Sequence, residues 1–321
     1  MALWGISTTQ ETWANSYAIP KFLNDQDRNF TPHNCFADDR GWIYRTYGTT
    51  VHSGLGTIYT DAVLVPVAGL NTVAAASTDA TEKKNNDMED LEEKLKAVKG
   101  TPCLIFESVY SMEGDVATIK EILDLADKYK AITYIDEVHA VGLYGHTGAG
   151  WLEKIGLQDR VDIVSGSFSK AVGLHGGYIA GDKEIVDAIR SISPGFIFTT
   201  SIPPVICAGA LASVKYLKDD GGRDLRNQHQ EKAMELKTLL KENNIEVFPN
   251  ETHLVPVMVR DPIKCKKISD TLLFDHDIYV QPINYPTVAK GTERLRFAPT
   301  PMHTDAMISD LTDKLTEVYH D

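Results

Sequence analysis

The sequence predicts an α/β fold: a mostly parallel sheet, followed by a smaller α+β region. Three observations carry this. The apolar runs CLIFESV (103–109), ITYID (132–136) and VDIVSGS (161–167) have the length and composition of buried strands. Helical patterns stand between them. Past about residue 215 that rhythm breaks into a long polar helix and short, separated strands.

Each element has its own signal. Asn86 or Asp87 caps a helix whose apolar stripe is Met88, Leu91, Leu95 and Val98, and Gly100 stops it. Residues 118–129 read as a helix with Ile119, Ile122, Leu123 and Ala126 inward. GGYIAG (176–181) is a short strand with glycines where backbones approach closely. Alternation of this kind predicts helices on both faces of the sheet. Further on come a polar helix over 223–243, a strand in HLVPVMV (253–259) and a helix near 262–275. Strands in IYVQPI (278–283) and RLRFAP (294–299) and a last helix from about 304 complete the chain. The turn signal DDGG (219–222) suggests a boundary near 205–220. The expected division is an amino-terminal segment 1–85, a large domain 86–215 and a small domain 216–321. Residues 1–85 show no clear periodicity, and they read as an incomplete segment.

Composition narrows the function classes. The chain has 321 residues and a net charge of -13. So acidic a chain is a poor partner for nucleic acid or an anionic membrane, since neutralising phosphates takes clustered Lys and Arg. A small anionic substrate needs only one or two local cations. Cys35, Cys103, Cys207 and Cys265 are far apart and form no Cys-x-x-Cys pair, which argues against a disulfide framework or a structural metal site. No apolar run reaches the length of a membrane helix, and no secretory signal is legible at the start. The expected location is the cytoplasm of a bacterium or the mitochondrial matrix of a eukaryote.

In an open parallel sheet, ligands bind at the carboxyl ends of the strands. Ser111 lies just past the first of these strands, Asp136 and His139 close the second, and Ser167, Ser169 and Lys170 close the third. Topology would bring an acid, an imidazole, hydroxyls and an amine into one crevice. That set suits pyridoxal phosphate: an amine for a Schiff base, a carboxylate beside the pyridine nitrogen, hydroxyls and amides for the phosphate. Each residue also has a plainer reading. Lys170 as a surface charge, Asp136 as a helix cap and His139 as a core histidine all fit the spacing alone. The glycines of GLYGHTGAG (142–150) resemble a phosphate loop only loosely. Spacing therefore leaves several cofactors open.

A resemblance narrows them. FESVYSMEGD (106–115), DEVHAVGLYGHTGAG (136–150), GSFSKAVGLHGGYIAG (166–181), PGFIFTTSIPP (194–204) and IYVQPINYPTVAKGTERLRFAPTPMH (278–303) resemble the α-oxoamine synthases in order and separation. These are pyridoxal 5'-phosphate enzymes of fold type I. The last two stretches favour the branch that condenses glycine with succinyl-CoA to a tetrapyrrole precursor, CoA and carbon dioxide. The resemblance implies Lys170 as the Schiff-base and proton-shuttling lysine, Asp136 at the pyridinium nitrogen and His139 at the ring's phenolic oxygen. It also implies Ser111 as a cofactor contact, Ser167 at the phosphate, and Arg296 on the substrate carboxylate. Thr199 would reach the phosphate of a neighbouring subunit, which implies a homodimer with shared sites. No role for a metal, a nucleic acid or a membrane follows.

The family's ring-stacking histidine would fall near 61–68, where the sequence reads DAVLVPVA. Its absence should weaken cofactor binding. Two alternatives therefore stand beside the leading reading: an impaired or non-catalytic homologue, and a related synthase resembling 2-amino-3-ketobutyrate CoA ligase.

Overall fold

The computed structural model describes residues 86–98, 100–198 and 201–320, together with the backbone of five short earlier strands. Four of these form two small hairpins: β1 (Phe36–Ala37) with β2 (Ile43–Tyr44), and β3 (Val51–Ser53) with β4 (Gly56–Ile58). The fifth, β5 (Leu70–Ala74), opens a five-stranded sheet. Its other strands are β6 (Thr101–Glu107), β7 (Ile132–Asp136), β8 (Ile163–Ser167) and β9 (Gly177–Gly181), side by side in chain order. β5 to β8 run parallel, and β9 turns back antiparallel to β8.

Helix α1 (Met88–Ala97) begins where the sequence predicts it, with the Asp87 side chain accepting from the Asp90 amide. Helix α2 (Ile119–Tyr129) ends on Lys130 in the left-handed conformation. Leu91 and Leu95 of α1 and Ile119, Ile122 and Leu123 of α2 share one core with Leu104, Phe106 and Ile135 of the sheet. Strand alternation explains this, because residues two apart share a face. The opposite face carries Cys103, Ile105, Glu107, Tyr134 and Asp136, all half-buried. The sequence predicts helices on both faces, whereas this core gathers α1 and α2 on one. Strands lying in chain order, joined by crossovers of one hand, place their helices on the same side.

A short helix α3 (Trp151–Ile155) follows the glycine-rich stretch, and α4 (Lys183–Ile192) follows β9. Then come α5 (Pro194–Phe198), α6 (Pro204–Lys218) and the long α7 (Asp220–Glu242). The expected turn at DDGG is instead a junction of two helices: Asp219 ends α6 and caps α7. Gly222 lies so close to α6 that a Cβ there would come within 2.2 Å of the Leu217 carbonyl oxygen. A residue with a side chain could not make this crossing.

The remaining elements form a second core. The antiparallel strands β10 (Val255–Met258), β11 (Gln281–Ile283) and β12 (Arg294–Phe297) pair in the order β10-β12-β11. Helices α8 (Pro262–His276) and α9 (Asp305–His320) pack with α7 against them, around Leu236, Leu240, Val257, Ile268, Leu272, Leu295 and Leu315. The buried stripe of α7 (Arg226, His229, Ala233, Leu236 and Leu240) repeats at helical spacing, so the polar look of this helix belongs to its outer face.

The two cores meet through Leu254, which precedes β10 and packs into the first core, and through polar contacts. Thr252 Oγ1 donates to the Gly114 carbonyl at 2.6 Å, and Asn250 Nδ2 donates to the Glu113 carbonyl at 3.0 Å. Buried Arg294 donates to the Met112 carbonyl and pairs with Glu113 at 3.0 Å. Among the described residues no helix is long and apolar enough to cross a membrane.

Candidate active site

The polar ends of β6, β7 and β8 gather at one edge of the large sheet. Parallel register sets Glu107, the last residue of β6, beside Asp136, the last residue of β7. Asp136 is half-buried, and its Oδ1 accepts from the Val138 amide at 2.7 Å, which fixes the turn out of the strand. That turn carries His139, which is 7% exposed. Burial holds the His139 imidazole well below its ordinary pKa, with Lys170, Arg296 and His253 adding positive field. His139 is therefore neutral at physiological pH. Its Nδ1 lies 3.5 Å from Arg296 Nη2, bringing a residue of the second core into the crevice of the first.

Lys170 sits on the connection between β8 and β9. The Phe168 amide donates to Gly176 at 2.8 Å, Leu174 to Phe168 at 2.7 Å and Gly173 to Lys170 at 2.9 Å. The loop is thus pinned to itself while Lys170 stays exposed. Its charge acts on Glu107, His139 and His253, so the amine lies within electrostatic reach of all three. Ser167 and Ser169 face each other with hydroxyls 2.7 Å apart, and the Ser169 amide donates to Ser167 Oγ. Ser111 sits past the end of β6, its amide donating to Glu107 Oε2 at 2.6 Å.

Arg296 is the middle member of a cross-strand row, between Pro256 and Gln281. Burial lowers its guanidinium from the ordinary value, while Glu107 opposes that shift. Its Nε is buried and finds no hydrogen-bond partner among the described residues. A buried cationic donor without an acceptor is costly, and an anionic ligand would satisfy it. Arg294, two residues earlier, has spent its donors on Thr292, Met112 and Glu113.

The structure thus brings Asp136, His139, Lys170 and Arg296 to the same end of the sheet, with Ser111 bonded to Glu107 beside Asp136 and Ser167 and Ser169 on the connection that carries Lys170. Thr199 and residues 61–68 lie outside the described residues. Two groups escaped the sequence reading. Glu107 carries the same signal as Asp136, a carboxylate closing an apolar strand, and register makes them neighbours. His253 is buried between Tyr144 and His229, with its Nδ1 3.0 Å from Tyr144 Oη, and it feels both Arg296 and Lys170.

The glycine-rich stretch is filled by the chain's own carboxylates. The Thr147 and Ala149 amides donate to Glu153, and the Trp151 and Leu152 amides donate to Glu137 at 3.0 and 2.7 Å. Those four amides are taken by carboxylates and are not open to a phosphate.

A family model described as Aminotransferase class I and II matches residues 64–315. The chain belongs to the class I and II aminotransferase family. The match reaches into the segment that the sequence reading left unmatched. The 5-aminolevulinate synthase of Bradyrhizobium diazoefficiens is 50% identical over 238 residues, covering 74% of this chain and 58% of that protein. The 5-aminolevulinate synthase 1 of Cereibacter sphaeroides is 53% identical over 236 residues, covering 72% of this chain and 58% of that protein. The chain thus spans somewhat more than half the length of these relatives. A solved structure of SPT with a PLP internal aldimine superposes with a TM-score of 0.69 at 31% identity, covering 73% of this chain and 59% of that one. The 8-amino-7-oxononanoate synthase of Francisella tularensis shares the fold, with a TM-score of 0.60 at 20% identity over 71% of this chain and 66% of that one. The fold is type I of the pyridoxal-phosphate enzymes, as the sequence predicts.

Proposed function

We propose that this chain is a 5-aminolevulinate synthase, which joins glycine to succinyl-CoA and releases CoA, carbon dioxide and 5-aminolevulinate. The observation that carries the reading is the meeting of Arg296 with His139, Asp136 and Lys170, drawn from two separate cores. The relatives named above support the choice of substrates.

The donor set fits pyridoxal 5'-phosphate. Lys170 would supply the amine for its aldehyde, Asp136 the carboxylate for its ring nitrogen and His139 a neutral hydrogen-bond partner for its phenolic oxygen. Ser111 would be a further contact, and Ser167 would serve the phosphate, with Ser169 beside it. When bound, the cofactor supplies a cationic ring that delocalises negative charge from the α-carbon of an attached amino acid.

The chain's own groups do the rest. Arg296 offers its unpartnered Nε to a substrate carboxylate, and a guanidinium fork bonds both oxygens at once. That grip fixes which bond of glycine faces the Lys170 amine. Lys170 takes the α-proton and returns one later. A carbon–carbon bond forms between the glycine α-carbon and the succinyl carbonyl, and the thioester C–S bond breaks to release CoA. The bond to the glycine carboxyl then breaks to release carbon dioxide. His139 is neutral in the empty site, so it orients by hydrogen bonding through its single ring N–H.

The proposal includes a homodimer and the division at about residue 215. Val205, Leu211 and Val214 of α6 are exposed together with Ile197 and Phe198 of α5. An apolar surface of this kind favours a second copy. The resemblance assigns Thr199 to the second copy's site. The two cores support the division.

The test is direct. The purified chain, incubated with pyridoxal phosphate, glycine and succinyl-CoA, should form 5-aminolevulinate, and Lys170→Ala should not. Product from another amino acid, with none from glycine, would favour a different synthase.

A further inference from the structure

The mechanism above leaves one half-buried group beside Asp136 without a task. Glu107 ends β6 beside Asp136, so two carboxylates stand side by side in register. Such a pair is costly unless something holds it. Ser111 provides part of the hold: its amide donates to Glu107 Oε2 at 2.6 Å and its hydroxyl to Oε1 at 3.3 Å. Cations provide the remainder, because Lys170 acts on Glu107 and Glu107 acts on Arg296.

We propose that Glu107 is a positioning residue of this site, fixing the Ser111 turn by hydrogen bonds and balancing the charges of Lys170 and Arg296 against Asp136. Ser111 bonds this carboxyl directly, and Lys170 and Arg296 interact with it through charge. The inference deepens the functional reading and rests on it for the roles of Ser111, Lys170 and Arg296.

The charge on Glu107 is adjustable. Burial, and then repulsion from Asp136, push its carboxyl up to about 7, against the hydrogen bonds from Ser111 and the pull of Lys170. The charged and titratable groups facing it are Asp136 on β7, Lys170 after β8, Arg296 on β12 and Tyr110 on the following turn. Protonated, it leaves Lys170 and Arg296 with less counter-charge. Ionised, it stabilises the Lys170 ammonium.

Two measurements on the full chain test this. The first uses cofactor-free protein and pH-difference infrared spectroscopy. A protonated-carboxyl band should titrate near neutral pH in the parent, be absent in Glu107→Gln and persist in Glu107→Asp. The second follows the yield of the borohydride-trapped pyridoxal-phosphate adduct of Lys170 against pH. Glu107→Gln removes a negative neighbour, so the amine forms more readily and the midpoint should move down by about one pH unit. Glu107→Asp keeps the charge and should leave the midpoint near that of the parent. Identical midpoints in parent and Glu107→Gln would overturn the proposal. Should the parent form no adduct, the functional reading fails, while the infrared titration alone still decides whether Glu107 holds a proton. Should Glu107→Gln fail to fold, Glu107→Ala in the same trapping measurement decides: a midpoint equal to the parent's overturns the proposal.

Discussion

The two sheets of this molecule place their working residues differently. In the five-stranded sheet, the polar groups stand where strands end: Glu107 on β6, Asp136 on β7, and Ser167 and Lys170 at and just after the end of β8. In the three-stranded sheet, the residue assigned to the proposed site is Arg296, inside β12 and flanked on both sides by strands. Parallel strands in chain order all open toward the same edge, so topology alone gathers their ends. An antiparallel sheet has no such shared edge, and Arg296 comes beside His139 only because the second core is docked against the first. The large sheet thus supplies a fixed floor, and the small one brings a single cation to it.

The sharpest way to break this comparison is to remove the cation. Arg296→Ala should raise the KM for glycine and lower kcat/KM about a hundredfold, or ~2.7 kcal/mol, because a buried charge-assisted contact is lost. Circular dichroism should stay unchanged, since among the described residues Nε bonds nothing and Nη2 makes only a long 3.5 Å contact with His139. Arg294→Ala should act in the opposite sense, on stability, because its donors bind Thr292, Met112 and Glu113.

The independence of the cores can be sharpened next. Leu104 and Leu295 are both fully buried, one in each core. Truncating either to Ala should cost about 3 kcal/mol of unfolding free energy, the usual result of a buried cavity. Urea denaturation checks whether the two losses add. Additive values mean that the cores are coupled only through their polar seam; a large deviation means that they share packing.

The smallest effect concerns that seam. Burial holds His139, His229 and His253 below their ordinary value of 6.5. The unfolded chain takes up protons below about 6.5 while the folded one refuses them, so stability is full above that pH and is lost as pH falls. Glu107, pushed up to about 7, and Glu137, also raised, work the other way and offset part of the loss. His253→Gln should flatten the fall in stability between about pH 7 and about pH 5.5 by up to ~1.4 kcal/mol per pH unit, as read from denaturation curves.

Much of this was legible in the sequence, for physical reasons. Strands β6 to β8 are apolar runs of the right length, and their ends point to the crevice by topology. Helices α4 and α6 were missed. Both begin without a side-chain cap bond, and α6 starts at Pro204 with Gly209 in its interior, so its local signals read as loop. The glycine-rich stretch invited a phosphate; nothing in its spacing reveals that Glu137 and Glu153 fold back onto its amides. Arg294 and Arg296 are indistinguishable in sequence, since both lie on one face of the same strand. Only the partners across the seam make one structural and leave the other with a donor to spare.

The central claim is that one amine works in this crevice. Borohydride reduction of the chain after incubation with pyridoxal phosphate, followed by peptide mass mapping, tests it most directly. The account predicts a single reduced adduct on Lys170, lost in Lys170→Ala; an adduct on a different lysine, or none, would contradict it.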